Sequence, residues 1–352
     1  MSNIKIIQVG CGKMSRYIMR YAIEKGYEIV GAYDINENII GQKVNKIYSE
    51  VKSDVIIENV NKLNDIQEKS ADIAVIATMS LLNDIGEVSR VLLSKKVNVI
   101  TTCEEAFFAE NSNPTLFREL DILAKANEVT ITGCGYQDVF WGNLIYTLAG
   151  STHRMTKIKG SSSYNVEEYG IALADAHGVG LSTEEFEEKI ASVDNISDDA
   201  RNILINQREF LPSYMWNTVG WLADKFNLHI TDIKQRCVPV IANKDVYSET
   251  LGKEIKAGNV LGMSAIVSAS TKENIRLEAE CIGKVYVDDD MDLNEWKIYG
   301  EPDTSVVIKK PQTVELTCAD IINRLADVIK SKSGFVPTSQ MGTPNFILKE
   351  EK

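Results

Sequence analysis

Residues 4–34 read IKIIQVGCGKMSRYIMRYAIEKGYEIVGAYD. The run Ile4–Val9 is apolar, rich in β-branched residues, and short enough for a buried strand. It breaks at Gly10-Cys11-Gly12. Beyond the break, Met14, Ile18, Tyr21 and Ala22 fall on one face of a helix, which Gly26 ends. A second apolar run, Glu28–Tyr33, closes on Asp34. The order is strand, glycine turn, helix, strand, acid.

Each part suits a dinucleotide. Gly10 turns the chain sharply off the strand, and Gly12 lets the backbone approach a pyrophosphate. The helix start, at Lys13 and Met14, offers free N–H groups and the positive end of a dipole to that anion. Asp34 lies about two dozen residues beyond Gly10, near the spacing of an acid that binds the adenosine ribose. A carboxylate there accepts hydrogen bonds from free hydroxyls and repels a 2′-phosphate, so the expected cofactor is NAD, with NADP the alternative; Asn36 and Lys43 are neighbours that tolerate a phosphate. Ser15 occupies the third position of G-x-G-x-x-G, where a small residue serves helix–strand packing. The plain alternative is a βα turn that binds nothing.

The chain has 352 residues, 44% hydrophobic and 25% charged, which is enough for two domains and a sizeable core. No apolar run approaches a membrane span, and the first residues enter a strand directly, so a cytoplasmic protein is expected. A net charge of −12 leaves no basic surplus for nucleic acid. Cys11, Cys103, Cys134, Cys237, Cys281 and Cys318 are scattered, without C-x-x-C pairs or histidines at ligand spacing. Disulfides and metal are therefore not expected. The first three flank the expected cofactor loops, which suggests that thiol reagents compete with the nucleotide.

Further strands are read at Val55–Ile57, Ala71–Thr78, Val97–Thr102 and Val129–Thr132. Helices are read through Leu93, over Pro114–Asn127 and from Val139 to Leu148. The alternation predicts an α/β class: an N-terminal Rossmann-type parallel sheet over residues 1–150. Ligands of such sheets bind beyond the carboxyl ends of the strands. This gathers Thr78, Met79 and Ser80, then Thr102, Cys103, Glu104 and Glu105, then Gly135, Tyr136, Gln137 and Asp138 around the nicotinamide half. From Lys157 the pattern changes to longer strands: Thr231–Val240, Val260–Ala269, Asn274–Cys281 and Trp296–Gly300. They predict an α+β domain over 151–310, built on a mixed, mostly antiparallel sheet. Ser182 and Glu185 form a capping box, and Ser213–Phe226 reads as a helix. Residues 311–352 supply a helix at Pro311–Lys332 and an extended tail, Gly334–Gly342, returning to the first domain.

Several stretches carry a family resemblance. They are VGCGKM at residues 9–14, VITTCEEAFF at 99–108, TGCGYQDVFWGN at 132–143, HGVGLSTEEFEE at 177–188, PVIA at 239–242, AGNVLG at 257–262, YGEPD at 299–303 and GFVP at 334–337. In this order they resemble dehydrogenases related to dihydrodipicolinate reductase, and more closely the 2,4-diaminopentanoate dehydrogenases of bacterial ornithine fermentation. The resemblance implies a Rossmann-type domain, a homodimer, and NAD(P)-dependent oxidative deamination of a short diamino acid: 2,4-diaminopentanoate to 2-amino-4-oxopentanoate and ammonia. Gly135-Tyr136-Gln137-Asp138 departs from the glycines and Asn-Pro-Gly turn of the wider family. A dihydrodipicolinate reductase-like imine reductase and a non-catalytic NAD(P)H-binding sensor are the alternatives.

Amine oxidation needs a neutral amine and a proton shuttle. Glu104 and Asp138 are the candidate bases, with Tyr136 and His177 as shuttles. Glu105, Gln137, Ser163 and Asn165 are candidates for the substrate, with Arg154, Lys157 or Lys159 for its carboxylate. The plain readings are an acidic helix start for Glu104-Glu105, a helix N-cap for Asp138, a surface loop for His177 and a solvent-facing strand for Ser161, Ser163 and Asn165. His153 and His229 read as structural or exposed, and Tyr17 and Tyr21 as packing.

Overall fold

A computed structural model describes residues 4–348 of the chain. They form two compact units: the first comprises residues 4–143, 205–211 and 312–348, and the second residues 144–204 and 212–311. Strands are numbered along the chain.

The first unit is built on a seven-stranded sheet. Its strands are β1 (Lys5–Val9), β2 (Glu28–Asp34), β3 (Ile57–Asn59), β4 (Ile73–Ile76), β5 (Asn98–Thr101), β6 (Thr130–Gly133) and β15 (Gly334–Phe335). The order across the sheet is β15-β6-β5-β4-β1-β2-β3, and every pairing is parallel. β4 shows why the sheet is doubly covered: all four of its residues, Ile-Ala-Val-Ile, are buried. Ile73 and Val75 enter one core and Ala74 and Ile76 the other, as the two-residue repeat of a strand requires. Helices Ser15–Glu24 and Thr313–Lys330 pack on one face, and Leu82–Ser94 and Pro114–Ala126 on the other. The strand order reverses between β4 and β1, which opens a crevice beyond their carboxyl ends.

The second unit holds a six-stranded sheet, ordered β14-β13-β7-β12-β11-β8. These strands are β7 (Arg154–Asn165), β8 (Ile230–Ile241), β11 (Val260–Thr271), β12 (Arg276–Lys284), β13 (Leu293–Glu301) and β14 (Thr304–Lys309). Only the β7–β12 pair is parallel, so the sheet is mixed and mostly antiparallel. A short hairpin of β9 (Val246–Ser248) and β10 (Lys253–Ile255) lies apart from it. Helix Tyr214–Lys225, buried from Met215 to Ala223, packs against β11 and β12. Opposite Trp296 in the register stands Gly160. A Cβ on Gly160 would lie 2.4 Å from the indole, so only glycine admits that ring.

The element readings hold closely in the parallel sheet. Ser182 and Glu185 form the expected capping box. Three features differ. The helix after β6 opens with a wide turn of π type, Asp138–Asn143, before Leu144–Ala149. The segment before His177 is a helix, Ile171–Ala176. Helix Asp198–Gln207 and the β14 edge strand lie in stretches whose sequence periodicity is weak. Among the described residues, no helix is long and apolar enough to cross a membrane.

Candidate active site

The glycine turn is locked from three sides. Gly10 has φ of +83°, and a Cβ there would lie 2.5 Å from the Ala77 carbonyl oxygen and 2.6 Å from the Thr78 methyl. Glycine is thus required where the ends of β1 and β4 meet. The Gly10 amide donates to the Tyr33 carbonyl. Tyr48 donates its hydroxyl to the Cys11 carbonyl at 2.7 Å and lies 3.0 Å from that of Gly12. The Ser15 hydroxyl donates to the Gly12 carbonyl at 2.7 Å, which is how a serine serves in the third glycine position. Gly12 itself is open: a Cβ would meet nothing within 4 Å.

Asp34 is held by the turn it faces. One carboxylate oxygen accepts from the Cys11 amide at 2.6 Å and the other from the Asn36 amide at 2.7 Å. Each oxygen keeps a lone pair for a hydroxyl donor. Lys43 is committed to Asp54 at 3.0 Å and so is not held out for a phosphate. Lys13 stands exposed at the tip of the turn, and the first turn of helix Ser15–Glu24 carries no acid. An open Gly12 cradle, a helix start free of acids and a fixed carboxylate fit a dinucleotide. Tyr48 was not legible as part of this site, because nothing in its local sequence marks a residue that pins a distant turn.

The loops after β4 and β5 meet at Ser80. Thr78 and Met79 are exposed beside the turn, and Thr102 is half-buried. The Ser80 carbonyl accepts from the Glu105 amide at 3.1 Å and from the Cys103 thiol at 3.1 Å. The Ser80 side chain hydrogen-bonds Glu104, whose enclosure pushes its carboxyl above the usual range. No salt bridge ends on Glu104 among the described residues. Gly133 supports this loop from β6, since a Cβ there would lie 2.2 Å from the carbonyl carbon of Ala106.

Glu105 takes a different place from the one expected. Its carboxylate accepts from the Leu82 amide and from the Ser112 hydroxyl, both at 2.7 Å. It caps helix Leu82–Ser94 from inside the core and is not turned toward a substrate. Asp138 is corrected likewise. It is fully buried, accepts from Arg324 Nε at 2.8 Å and from Asn143 Nδ2 at 3.0 Å, and belongs to an internal ion pair. Tyr136 and Gln137 are buried, and the Tyr136 ring stacks on Phe140 with centroids 4.5 Å apart. Gly135, at φ +144°, has Thr317 2.9 Å from where its Cβ would stand.

In the second unit, His177 is buried rather than on a surface loop. Its Nδ1 faces the Leu173 carbonyl at 2.8 Å and its Nε2 the Tyr164 hydroxyl at 2.6 Å. A carbonyl only accepts, so the proton sits on Nδ1 and Tyr164 donates to Nε2. Burial lowers the His177 pKa and raises that of Tyr164, so the pair is neutral and serves the packing around Gly283. Ser163 is tied to its own sheet, accepting from the Leu293 amide at 3.2 Å and donating to the Met291 carbonyl at 3.3 Å. Asn165 caps the turn Val166–Tyr169 through the Glu167 amide. Lys157 and Lys159 share Glu278, at 2.8 and 3.3 Å, and Arg154 pairs with Glu301. His229 pairs with Glu273 and His153 is exposed. Tyr17 and Tyr21 form a ring pair 6.1 Å apart, as packing residues.

All six cysteines are free and buried, and burial is the main cause that raises each thiol pKa, to about 12 for Cys11, Cys237, Cys281 and Cys318. The expected competition between thiol reagents and nucleotide is therefore not supported: the reactive thiolate is scarce near neutral pH.

No family model matches the chain. Over 98% of both chains it is 31% identical to an amine dehydrogenase from Mycobacterium smegmatis of known structure, with a TM-score of 0.81. It is 24% identical to the 2,4-diaminopentanoate dehydrogenase of Acetoanaerobium sticklandii, over 100% of this chain and 99% of that one. A myo-inositol 2-dehydrogenase from Lactobacillus plantarum shares the fold at 10% identity and a TM-score of 0.56, over 93% of this chain and 90% of that one. With a glycine turn built for a dinucleotide and near-complete alignment to an amine-oxidising relative, the chain belongs to the NAD(P)-dependent amine dehydrogenase family.

Proposed function

We propose that the protein catalyses NAD-dependent oxidative deamination of a short diamino acid, with 2,4-diaminopentanoate the best-supported substrate and 2-amino-4-oxopentanoate and ammonia the products. The substrate rests on full-length similarity to a dehydrogenase of that name. The observation that carries the chemistry is Glu104: a carboxyl with no cationic partner among the described residues, enclosed at the end of β5 beside the loop that follows β4.

A diamino acid reaches the site as an ammonium, which has no lone pair to assist hydride departure. An unpaired carboxylate attracts that cation and takes its proton. Raised basicity from burial makes the transfer easier. A bound nicotinamide would supply the hydride acceptor for the carbon that bears the neutral amine. Water then adds to the resulting iminium, and Glu104 passes protons between water and the leaving ammonia. Ser80 orients the carboxyl. Asp34, on which no salt bridge ends among the described residues, favours the free ribose of NAD over a 2′-phosphate. The proposed assembly is a homodimer.

Purified protein incubated with NAD and 2,4-diaminopentanoate near pH 9, with ornithine, 2,4-diaminobutyrate and meso-diaminopimelate in parallel, tests this by absorbance of the reduced nicotinamide. Selective reduction with diaminopentanoate is expected. Selective turnover of another amine would replace the substrate, and no turnover with any of them would overturn the reaction.

A further inference from the structure

The loop after β6 is gripped from below by three turns of helix Thr313–Lys330. Thr317 Oγ1 accepts from the Tyr136 amide at 3.1 Å. The Cys134 thiol donates to Asp320 Oδ2 at 3.0 Å. Arg324 Nε donates to Asp138 Oδ2 at 2.8 Å. On the same helix, the Cys318 sulfur lies 3.5 Å from the Met14 carbonyl, where the glycine turn enters its own helix. One element thus touches both ends of the proposed cofactor path.

The charges under the loop do not balance if every acid is ionised. Asp138 and Arg324 are fully buried and Asp320 is 5% exposed. Asp138 and Asp320 bring buried carboxyl oxygens within 4.8 Å of each other, where two negative charges repel strongly and a proton held by the pair relieves the repulsion. The Arg324 guanidinium pairs with Asp138 and also meets Asp327 at 3.3 Å, and no salt bridge ends on Asp320 among the described residues. We propose that Asp138 and Asp320 share one proton and that Asp320, acting through Asp138 and Cys134, is the positioning residue that fixes the Gly135–Gln137 turn for the nicotinamide. The assignment rests on the cofactor reading above, and Asp320 touches neither substrate nor cofactor.

The groups facing Asp320 are Cys134 from the end of β6, Asp138 from the wide turn, and Arg324 from its own helix, with Asp327 beyond Arg324. Burial first, and then the charge of Asp138, push Asp320 up to about 8. Cys134 stays a thiol well above that. A carboxyl raised in the folded state binds a proton that the unfolded chain has already lost, so stability falls as pH rises from about 4 through 8. Above that, two like charges meet beneath the turn and loosen it.

Cys134, Asp138 and Asp320 are also the one grouping among the described residues whose ligand atoms, all within 4.8 Å of one another, have the spacing of a metal site. Arg324 already supplies the positive charge there, which favours the proton over a divalent cation.

The test compares wild type, Asp320→Asn and Asp138→Asn between pH 6 and 10, by thermal unfolding without cofactor and by NADH fluorescence titration. For wild type, Tm is expected to fall between pH 6 and about 8 and to level off above it, and the Kd for NADH to weaken by about five- to tenfold over the same range, the lower range for coupled sites. Both variants remove the shared proton and flatten both profiles. A wild-type Tm indifferent to pH over this window, or an Asp320→Asn profile parallel to wild type, would overturn the proposal. Should Asp320→Asn not fold, Asp138→Asn carries the same comparison. Zinc that raises the Tm of wild type at pH 7 but not of Asp320→Asn would overturn it in favour of a metal. Failure of NADH to bind at any pH, with the Tm step intact, would sink the cofactor reading and leave the shared proton standing.

Discussion

Two adjacent glutamates separate by role, and their sequence does not say which does what. Both follow the same strand, and both read as an acidic helix start. The backbone after Cys103 aims Glu105 at the Leu82 amide and leaves Glu104 beside Ser80. Glu104→Gln is therefore expected to lower kcat by about 10²- to 10⁴-fold, the range for loss of a general base, with NADH affinity and Tm kept. Glu105→Ala is expected to cost about 1–2 kcal/mol in urea unfolding, as loss of a helix cap does, with the remaining folded enzyme still turning over. Because burial raises Glu104, it is protonated at acid pH. The kcat/KM profile should thus fall as pH drops through its raised pKa, and Glu104→Gln should erase that limb from the residual rate. Asp34 was legible from spacing alone, since the strand–turn–helix–strand unit is local. Asp138 was not, because its partner Arg324 lies 186 residues away. For Asp34→Ser, the ratio of NAD to NADP efficiency should fall by about tenfold or more, the worth of one charge-assisted hydrogen bond; an unchanged ratio would remove Asp34 from cofactor choice.

At the scale of elements, hydrophobic period gave the parallel sheet and its helices, because β4 and its neighbours are apolar runs too short for helices. The long strands of the second unit were legible in part. Alternation placed Ser161, Ser163 and Asn165 on one face, but only the strand register shows Lys159 beside Glu278 and Gly160 opposite Trp296. That register is global information. Gly160→Ala tests it: a methyl driven into the buried indole should destabilise the second unit by about 1–3 kcal/mol, the usual cost of overpacking, read as a lower midpoint in denaturant. The wide turn at Asp138–Asn143 escaped sequence reading for a related reason. Its first residue, Asp138, is tied into the buried ion pair with Arg324, and local propensity gives no sign of it.

On the scale of the whole molecule, a net charge of −12 makes two copies repel unless their meeting surface mixes signs. The sheet face bearing Lys159, Arg236, Glu278 and Glu280 does so, and it is where the proposed homodimer is placed. Light scattering should return twice the 39.2 kDa chain mass, and Arg236→Glu should shift it toward monomer; a monomer at every concentration would remove the dimer. The first unit is assembled from segments far apart in the chain, since β15 and helix Thr313–Lys330 complete a sheet begun at Lys5. A growing chain on the ribosome meets this as a matter of timing. When residue 143 has emerged, Asp138 has no guanidinium to meet and β6 has an open edge. Both wait through the synthesis of about 180 to 190 further residues, close to ten seconds or more at ordinary elongation rates. During that interval the half made first keeps an unpaired strand edge and an unpartnered buried acid, and a premature stop in the last tenth of the message would leave it so.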